Sequence, residues 1–368
     1  MRGVSVWQFS RLRRPAVRLS PVHDPGTNHV RMTRFVHDVF LCPRVYTRCA
    51  PCGTRLGIVI YLQLRSQLHM ENTRRRFLQL SASLAAASAS TAASAAPSLP
   101  TVRIGKHEIS RMILGSNPFY GYSHSSRGLD QHMREWGTPE HVCEALREAE
   151  KNGITTFQTN GGDREIADIE RHREQGGKLH VIALIKEKPE ETVARAHPIA
   201  VAHHGEVTDV AYRAGKMDDV QEFTKRARQT GVLVGVSTHK PEVIEYIEEH
   251  GWDVDFYMGC VYNRTRTPDE IRTLLNGELP LPATEVYLEK DPQRMFAVMR
   301  KTSRHCFAFK ILAAGRAARS AVEIHAAFRA AFAGIKPQDC VIVGHYPRFR
   351  NEIQENAERV RAILGNMS

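Results

Sequence analysis

The run His203-His204-Gly205-Glu206, with Asp209 three residues on, gathers two imidazoles and two carboxylates in one short stretch. Groups of these types move protons at a reacting centre or, joined by a further ligand such as His239 or His345, hold a divalent metal. The spacing matches no defined ligand motif, so a general base with orienting neighbours is the reading carried forward and no metal ligands are assigned. Lys186 and Lys310 each close an apolar run. A lysine left there is expected to be desolvated, which lowers its pKa and suits it to acid/base work or to phosphate. Phe119, Tyr120, Tyr122, His124 and Trp136 crowd the stretch 116–136. Flat apolar faces with polar tips suit the C–H and O–H surface of a sugar or polyol, and Tyr120 or Tyr122 can reach a reacting oxygen as an acid.

Such residues need a scaffold that brings distant segments to one rim. From Pro97 onward, short β-branched or apolar runs alternate with longer amphipathic stretches, the pattern of repeated βα units around a parallel sheet. A leading hairpin, 102–104 with 108–110 around Gly105-Lys106, precedes eight expected strands at 111–114, 155–158, 180–185, 199–203, 233–237, 256–260, 306–310 and 340–344. Helices are expected at 138–152, 163–175, 189–196, 216–230, 241–250, 268–275, 318–333 and 350–364, with an additional one at 291–302 between the sixth and seventh strands. The stretch 116–136 is read as a long functional loop. About 270 residues remain after the leader, the usual size of one α/β (β/α)8 TIM barrel, here with an N-terminal β-hairpin. In that fold the chemistry sits at the C-terminal strand ends, where Asn160, Lys186, His203, His204, Ser237, Asn263 and Lys310 all fall. A non-catalytic binding protein would not need so many polar strand ends.

The formal charge of +11 suggests nucleic acid until it is divided along the chain. Residues 1–69 carry 11 Arg and no Lys against two Asp, and residues 70–96 three Arg against one Glu. Those two segments hold the entire excess, leaving 97–368 neutral, with no electrostatic case for nucleic acid or an anionic membrane. Thr73-Arg74-Arg75-Arg76-Phe77-Leu78-Gln79, three residues after Met70 and directly before an Ala/Ser-rich run ending Ala93-Ser94-Ala95, has the layout of a twin-arginine export signal. The expected organisation is a leader over 1–69 that is unstructured or arises from a wrong start site, a signal peptide over 70–96, and a single barrel over 97–368. Its partners are then the twin-arginine translocase during export and a small-molecule substrate in the periplasm or outside the cell. Cys49-Ala-Pro-Cys52 is a weak redox or metal pattern, and Cys143, Cys260, Cys306 and Cys340 read as buried free thiols.

Val102 to Pro118, Gly231 to Ser237, Val261-Tyr262-Asn263, and Gly344 with Glu355-Asn356 together resemble the aldo/keto reductase barrel in order and spacing across the body, most closely an exported subgroup. The resemblance implies an NADP(H)-dependent oxidoreductase acting on a sugar-like carbonyl or alcohol. It implies Lys186 and a histidine of the pair 203/204 as polarising groups, with Asn160 beside them. It places the cofactor on Ser237, Asn263, Lys310, Gly315, Arg316, Gly344 and Arg348, where small residues, a helix start and arginines also suit phosphate. The family's second strand ends Phe-Asp-Thr-Ala and is followed by the acid Tyr; this chain has Phe157-Gln158-Thr159-Asn160, with Asp163 at the Tyr position. That departure favours an alternative, a non-redox lyase, isomerase or hydrolase on the same barrel, metal-assisted or not. No GxGxxG follows a strand, which excludes a Rossmann site only.

Overall fold

The computed structural model describes residues 98–367. The expected leader, signal peptide, Cys49 and Cys52 lie outside the described residues. Two strands, β1 (Thr101–Ile104) and β2 (His107–Ser110), pair antiparallel, from Thr101 against Ser110 to Ile104 against His107. Eight parallel strands follow: β3 (Met112–Gly115), β4 (Thr156–Thr159), β5 (His180–Ile185), β6 (Ala200–His203), β7 (Leu233–Thr238), β8 (Phe256–Cys260), β9 (His305–Phe309) and β10 (Cys340–Gly344). They close into a barrel, β10 pairing with β3 from Val341 against Met112 to Gly344 against Gly115. The expected hairpin and all eight expected strands are present, within a residue of their expected ends.

Strand periodicity decides which side chains fill the lumen, because alternate residues face opposite sides. Ile113, Ile182, Ala200, Ala202, Phe256, Met258, Phe307 and Ile342 form one buried cluster together with Ile104 and Ile109 of the hairpin. The hairpin therefore plugs the barrel floor, and its turn residue Gly105 lies against Leu233 at the start of β7. The intervening residues, among them Val201, Val234, Val236, Ala308 and Val341, face outward into a second cluster shared with the helices. Gly235 faces inward, and a Cβ there would meet Phe256 ring carbons at 2.5 Å. Gly235→Ala is expected to cost about 2 kcal/mol by overpacking, a fall in Tm of roughly 4–8 °C by calorimetry.

Eleven α-helices surround the described barrel: α1 (Arg127–Trp136), α2 (Pro139–Lys151), α3 (Asp163–Glu174), α4 (Pro189–Ala196), α5 (Gly205–Arg213), α6 (Met217–Gln229), α7 (Pro241–Glu249), α8 (Pro268–Leu274), α9 (Asp291–Lys301), α10 (Ala321–Gly334) and α11 (Glu352–Gly365). Local chemistry starts them where expected: Thr138 accepts from His141 N–H before Pro139, and Thr267 and Glu270 form a reciprocal capping box. Two of the eleven correct the sequence reading. The stretch 116–136 is not a structureless loop, since a 3₁₀ turn spans Asn117–Tyr120 and Ser126 caps α1. Helix α5 escaped notice because its apolar pattern is inverted: Thr208 and Asp209 are buried while Val207 and Val210 are exposed. The four cysteines of the barrel are buried and free. No helix among the described residues is long and apolar enough to cross a membrane.

Candidate active site

At the C-terminal mouth, strand ends, the 117–133 stretch, and the segments following β9 and β10 enclose a cavity of about 300 Å³ lined by Asn117, Tyr122, His124, Gln158, Lys310 and Gly344, among others. It adjoins a more open cleft of about 550 Å³, reached past Tyr122 and His124 and walled by Arg127, Asp130, Glu285 and Arg316. His124 (φ 53°), Glu285 (φ 56°) and Lys310 (φ 59°) at this mouth have left-handed backbone without being glycine, as do Ala313 (φ 48°) and the cavity-lining Ala314 (φ 50°) in the turn after Lys310. Each such conformation costs about 1–2 kcal/mol. Lys310 follows Phe309, whose ring packs into the lumen cluster, and the positive φ redirects the chain as β9 ends. Its ammonium has no hydrogen bond or ion pair among the described residues and lies 5.9 Å from the Phe309 ring centroid. Burial pushes its pKa down to about 8.

Arg264 is the electrostatic hub. Its Nε donates to Glu285 Oε1 and Oε2 at 3.0 and 2.9 Å, and its Nη1 pairs with Glu206. Glu285 also accepts from Tyr287 Oη at 2.9 Å and lies 3.0 Å from His124 Nδ1. Burial alone would raise the Glu285 carboxyl, but His124 and Arg264 outweigh it and hold the group well below the usual carboxylate range. A carboxylate only accepts, so Nδ1 of His124 carries the proton and Nε2 is the basic nitrogen, 3.3 Å from Asn117 Nδ2. Burial lowers the His124 pKa, keeping the ring neutral near pH 7. A second dyad stands beside it: His239 Nδ1 donates to Asp209 Oδ2 at 2.8 Å, and Arg264 Nη1 lies 3.4 Å from Nε2. Asp209 is wholly buried and also accepts from Thr238 and from Thr265 Oγ1 at 2.9 Å.

Only part of the residue set read from sequence meets here. Tyr122 and Lys310 line the cavity, and so do Gly315 and Gly344. Asn160 sits just behind, its Nδ2 3.3 Å from both Asn117 Oδ1 and Glu165 Oε1. His204 precedes α5 with its Nδ1 buried and unpartnered, and the Ser237 hydroxyl is unpartnered too; a Cβ on Gly205 would come within 2.9 Å of Ser237 Oγ. Ser237 and Asn263 are buried and do not line the cavity.

Four expectations need correction. Lys186 is exposed, not desolvated, because β5 ends before it and the chain runs out to solvent. His203 has the outward parity of Val201, stacks edge-on against Phe223 at 4.8 Å and bonds Thr208 Oγ1, so it belongs to the barrel–helix layer. Tyr120 also turns outward, donating to Asp168 Oδ2 at 3.1 Å. Arg348 is exposed over Phe349, while Arg350, paired with Glu355, lines the cavity in its place; Arg316 lines the adjoining cleft and stacks on Tyr287 at 4.3 Å. Among the described residues no group of three or more His, Cys, Asp or Glu is arranged to hold a metal.

Arg264, Glu285 and Tyr287 were not singled out from sequence. Arg264 lies one residue beyond Asn263, and Glu285 sits in the segment between α8 and α9, where a buried glutamate looks like any solvated one. The buried histidines also couple stability to pH. Burial pushes His203 and His345 down to about 4, so on acidification the unfolded chain takes up their protons first. Their contribution is complete well above pH 6.5 and falls as pH drops toward 4. About 1 kcal/mol per histidine is expected to be lost between pH 7 and 5.5, read as a lower urea midpoint.

No family model matches the chain, and no curated relative does. Among solved structures it is similar to a truncated 3-deoxy-D-arabino-heptulosonate 7-phosphate synthase from Thermotoga maritima, at 15% identity and a TM-score of 0.45, covering 73% of this chain and 92% of that one. It is also similar to a Yersinia pestis DHPS (10% identity, TM-score 0.41, 73% of this chain and 98% of that one). A third is the GH113 beta-mannanase from Alicyclobacillus acidocaldarius (14% identity, TM-score 0.39, 70% of this chain and 97% of that one). The chain's own strand pairing defines its fold, an eight-stranded parallel α/β barrel preceded by an antiparallel hairpin.

Proposed function

We propose that this barrel is a non-redox lyase or isomerase that moves a proton next to a carbonyl group in a small polyhydroxylated substrate. The observation that carries this reading is the convergence of His124, Glu285 and Lys310, each in a left-handed backbone conformation, on one mouth. Strain of that kind persists where the surroundings over-determine it, and it clusters at working sites. A carbonyl oxygen seated at Lys310 receives a hydrogen bond from the ammonium, the prevailing form at pH 7 for a pKa of about 8. His124 Nε2 takes the proton from the adjacent carbon, and Glu285 stabilises the imidazolium that results. Tyr122, half exposed on the rim, offers a ring face to the sugar-like carbon skeleton. On this reading the segment before the barrel delivers the enzyme to the periplasm through the twin-arginine translocase.

A second reading keeps the aldo/keto reductase resemblance and NADP(H). It is favoured by Gly315, Gly344, Arg350, Glu355 and Asn356, which line the same cavity as Lys310 and would hold the nucleotide. The cofactor would supply hydride. Against it stands the proton donor, because Asp163 occupies the family's acid Tyr position, Gln158 replaces its Asp, and Tyr120 is bonded to Asp168 outside the barrel, leaving Tyr122 on the rim as the stand-in acid. One experiment separates the two. Dihydroxyacetone, D-glyceraldehyde and D-xylose are incubated with enzyme in D₂O and followed by proton NMR, while NADPH is titrated by fluorescence. Loss of the α-C–H signal without added nucleotide is the expected result. Micromolar NADPH binding with no exchange in any sugar would sink the proton-transfer reading.

A further inference from the structure

Resting on that reading of the mouth, we propose that Lys310 acts covalently, forming an imine with the substrate carbonyl, and that His124 shuttles the protons of its formation. The case begins with geometry. The amine projects from a strand end where φ is +59°, lines the same cavity as His124, and has no hydrogen bond or ion pair among the described residues. A lysine serving only to neutralise the mouth would be expected on a carboxylate. Here both nearby carboxylates, Glu206 and Glu285, are taken by Arg264. The amine is thus left with room in front of it and nothing to release before it reacts. Burial in the mouth also raises its neutral, nucleophilic fraction.

The step balances without any redox partner. The nitrogen lone pair of Lys310 adds to the carbonyl carbon, and the nitrogen's proton passes by way of His124 Nε2 to the former carbonyl oxygen, giving a carbinolamine. That hydroxyl leaves as water with a proton relayed from solvent, and the C=N⁺ iminium stays on Lys310. Glu206 and Glu285 lie close enough to influence the Lys310 charge, so the cation formed is compensated at the mouth. The iminium draws electrons from the neighbouring C–H or C–C bond more strongly than a hydrogen-bonded carbonyl does. The substrate class is accordingly an aldehyde or ketone bearing an adjacent hydroxyl, and carboxylic acids, esters and glycosides fall outside it.

The test is reductive trapping. The full barrel is mixed with dihydroxyacetone or glycolaldehyde and sodium cyanoborohydride at pH 7.5, then digested and mapped by mass spectrometry. Labelling of Lys310 is expected to run roughly 10²-fold ahead of exposed lysines such as Lys106, Lys151 and Lys186, because burial in the mouth enlarges its neutral, nucleophilic fraction and the cavity holds the carbonyl in front of it. It should also saturate with dihydroxyacetone concentration, which free-amine chemistry does not. Lys310→Gly, which relieves the left-handed strain and so should fold, and Lys310→Arg should both lose the adduct and the α-C–H exchange. Labelling spread over lysines in proportion to exposure, or at Lys310 without saturation, overturns the imine. If exchange in D₂O persists in that case, the proton-transfer reading stands and only the covalent step fails.

Discussion

His124→Gln should slow α-C–H exchange of the active sugar by about 10²- to 10⁴-fold, the range for removing a positioned general base. The glutamine keeps a polar group near Asn117 and Glu285 but has no nitrogen able to take a proton. Glu285→Gln tests the orienting half of the dyad. It leaves a neutral acceptor beside Nδ1 and removes one negative charge from Arg264, so a smaller loss is expected, together with a lower kinetic pKa for His124. The sign follows from the site: Glu285 raises the His124 pKa against burial, and without the carboxylate the ring holds its proton less well. The rate-limiting base would then titrate at more acidic pH, with a lower plateau. A pH–rate profile of kcat/KM for both variants reads this directly. Equal activity in His124→Gln would remove the histidine from the mechanism and leave Lys310 without its partner.

How much of this was legible beforehand follows from what a linear sequence encodes. Strands such as Phe256–Cys260 and Cys340–Gly344 declare themselves because a parallel barrel buries both faces of each strand, producing short apolar runs that local punctuation then bounds. The polar residues closing those runs follow from the fold, and Lys310 was found in that way. Direction is harder to read. His203 and His204 are adjacent, yet strand parity sends the first to the helix layer and leaves the second at the cap of α5. Lys186 and Lys310 close similar runs, but only the second has a left-handed φ at the cavity. No spacing rule announces that twist in a residue other than glycine. Arg264 and Glu285 are 21 positions apart and owe their meeting to a segment with little regular structure, so no periodicity points to either. The histidine that completes the dyad, His124, was visible only as one more ring in an aromatic stretch.

That segment is held by the buried pair Arg266–Asp291, whose side chains are 4% and 5% exposed. Asp291 opens α9 and accepts from Arg266 Nη1 at 2.8 Å, from Asn263 N–H at 3.3 Å and from Leu288 N–H at 3.4 Å. Arg266 Nη1 donates in turn to the Asn263 carbonyl at 2.7 Å. The pair therefore clamps both ends of the stretch that carries Glu285. Asp291→Leu leaves a guanidinium buried without its counter-charge and two backbone donors without an acceptor, which is expected to cost about 3–5 kcal/mol. Arg266→Met should cost a comparable amount by stranding the carboxylate. The double variant Arg266→Met/Asp291→Leu removes both charges together and fills the space, so its loss should be well below the sum of the singles, with a coupling of about 2 kcal/mol or more from a urea double-mutant cycle. Restored stability need not restore activity. The apolar pair cannot accept from Asn263 and Leu288, so Glu285 loses its fixed position beneath His124 even in a folded barrel. A double variant that recovers both stability and full exchange activity would show that the clamp does not position the dyad.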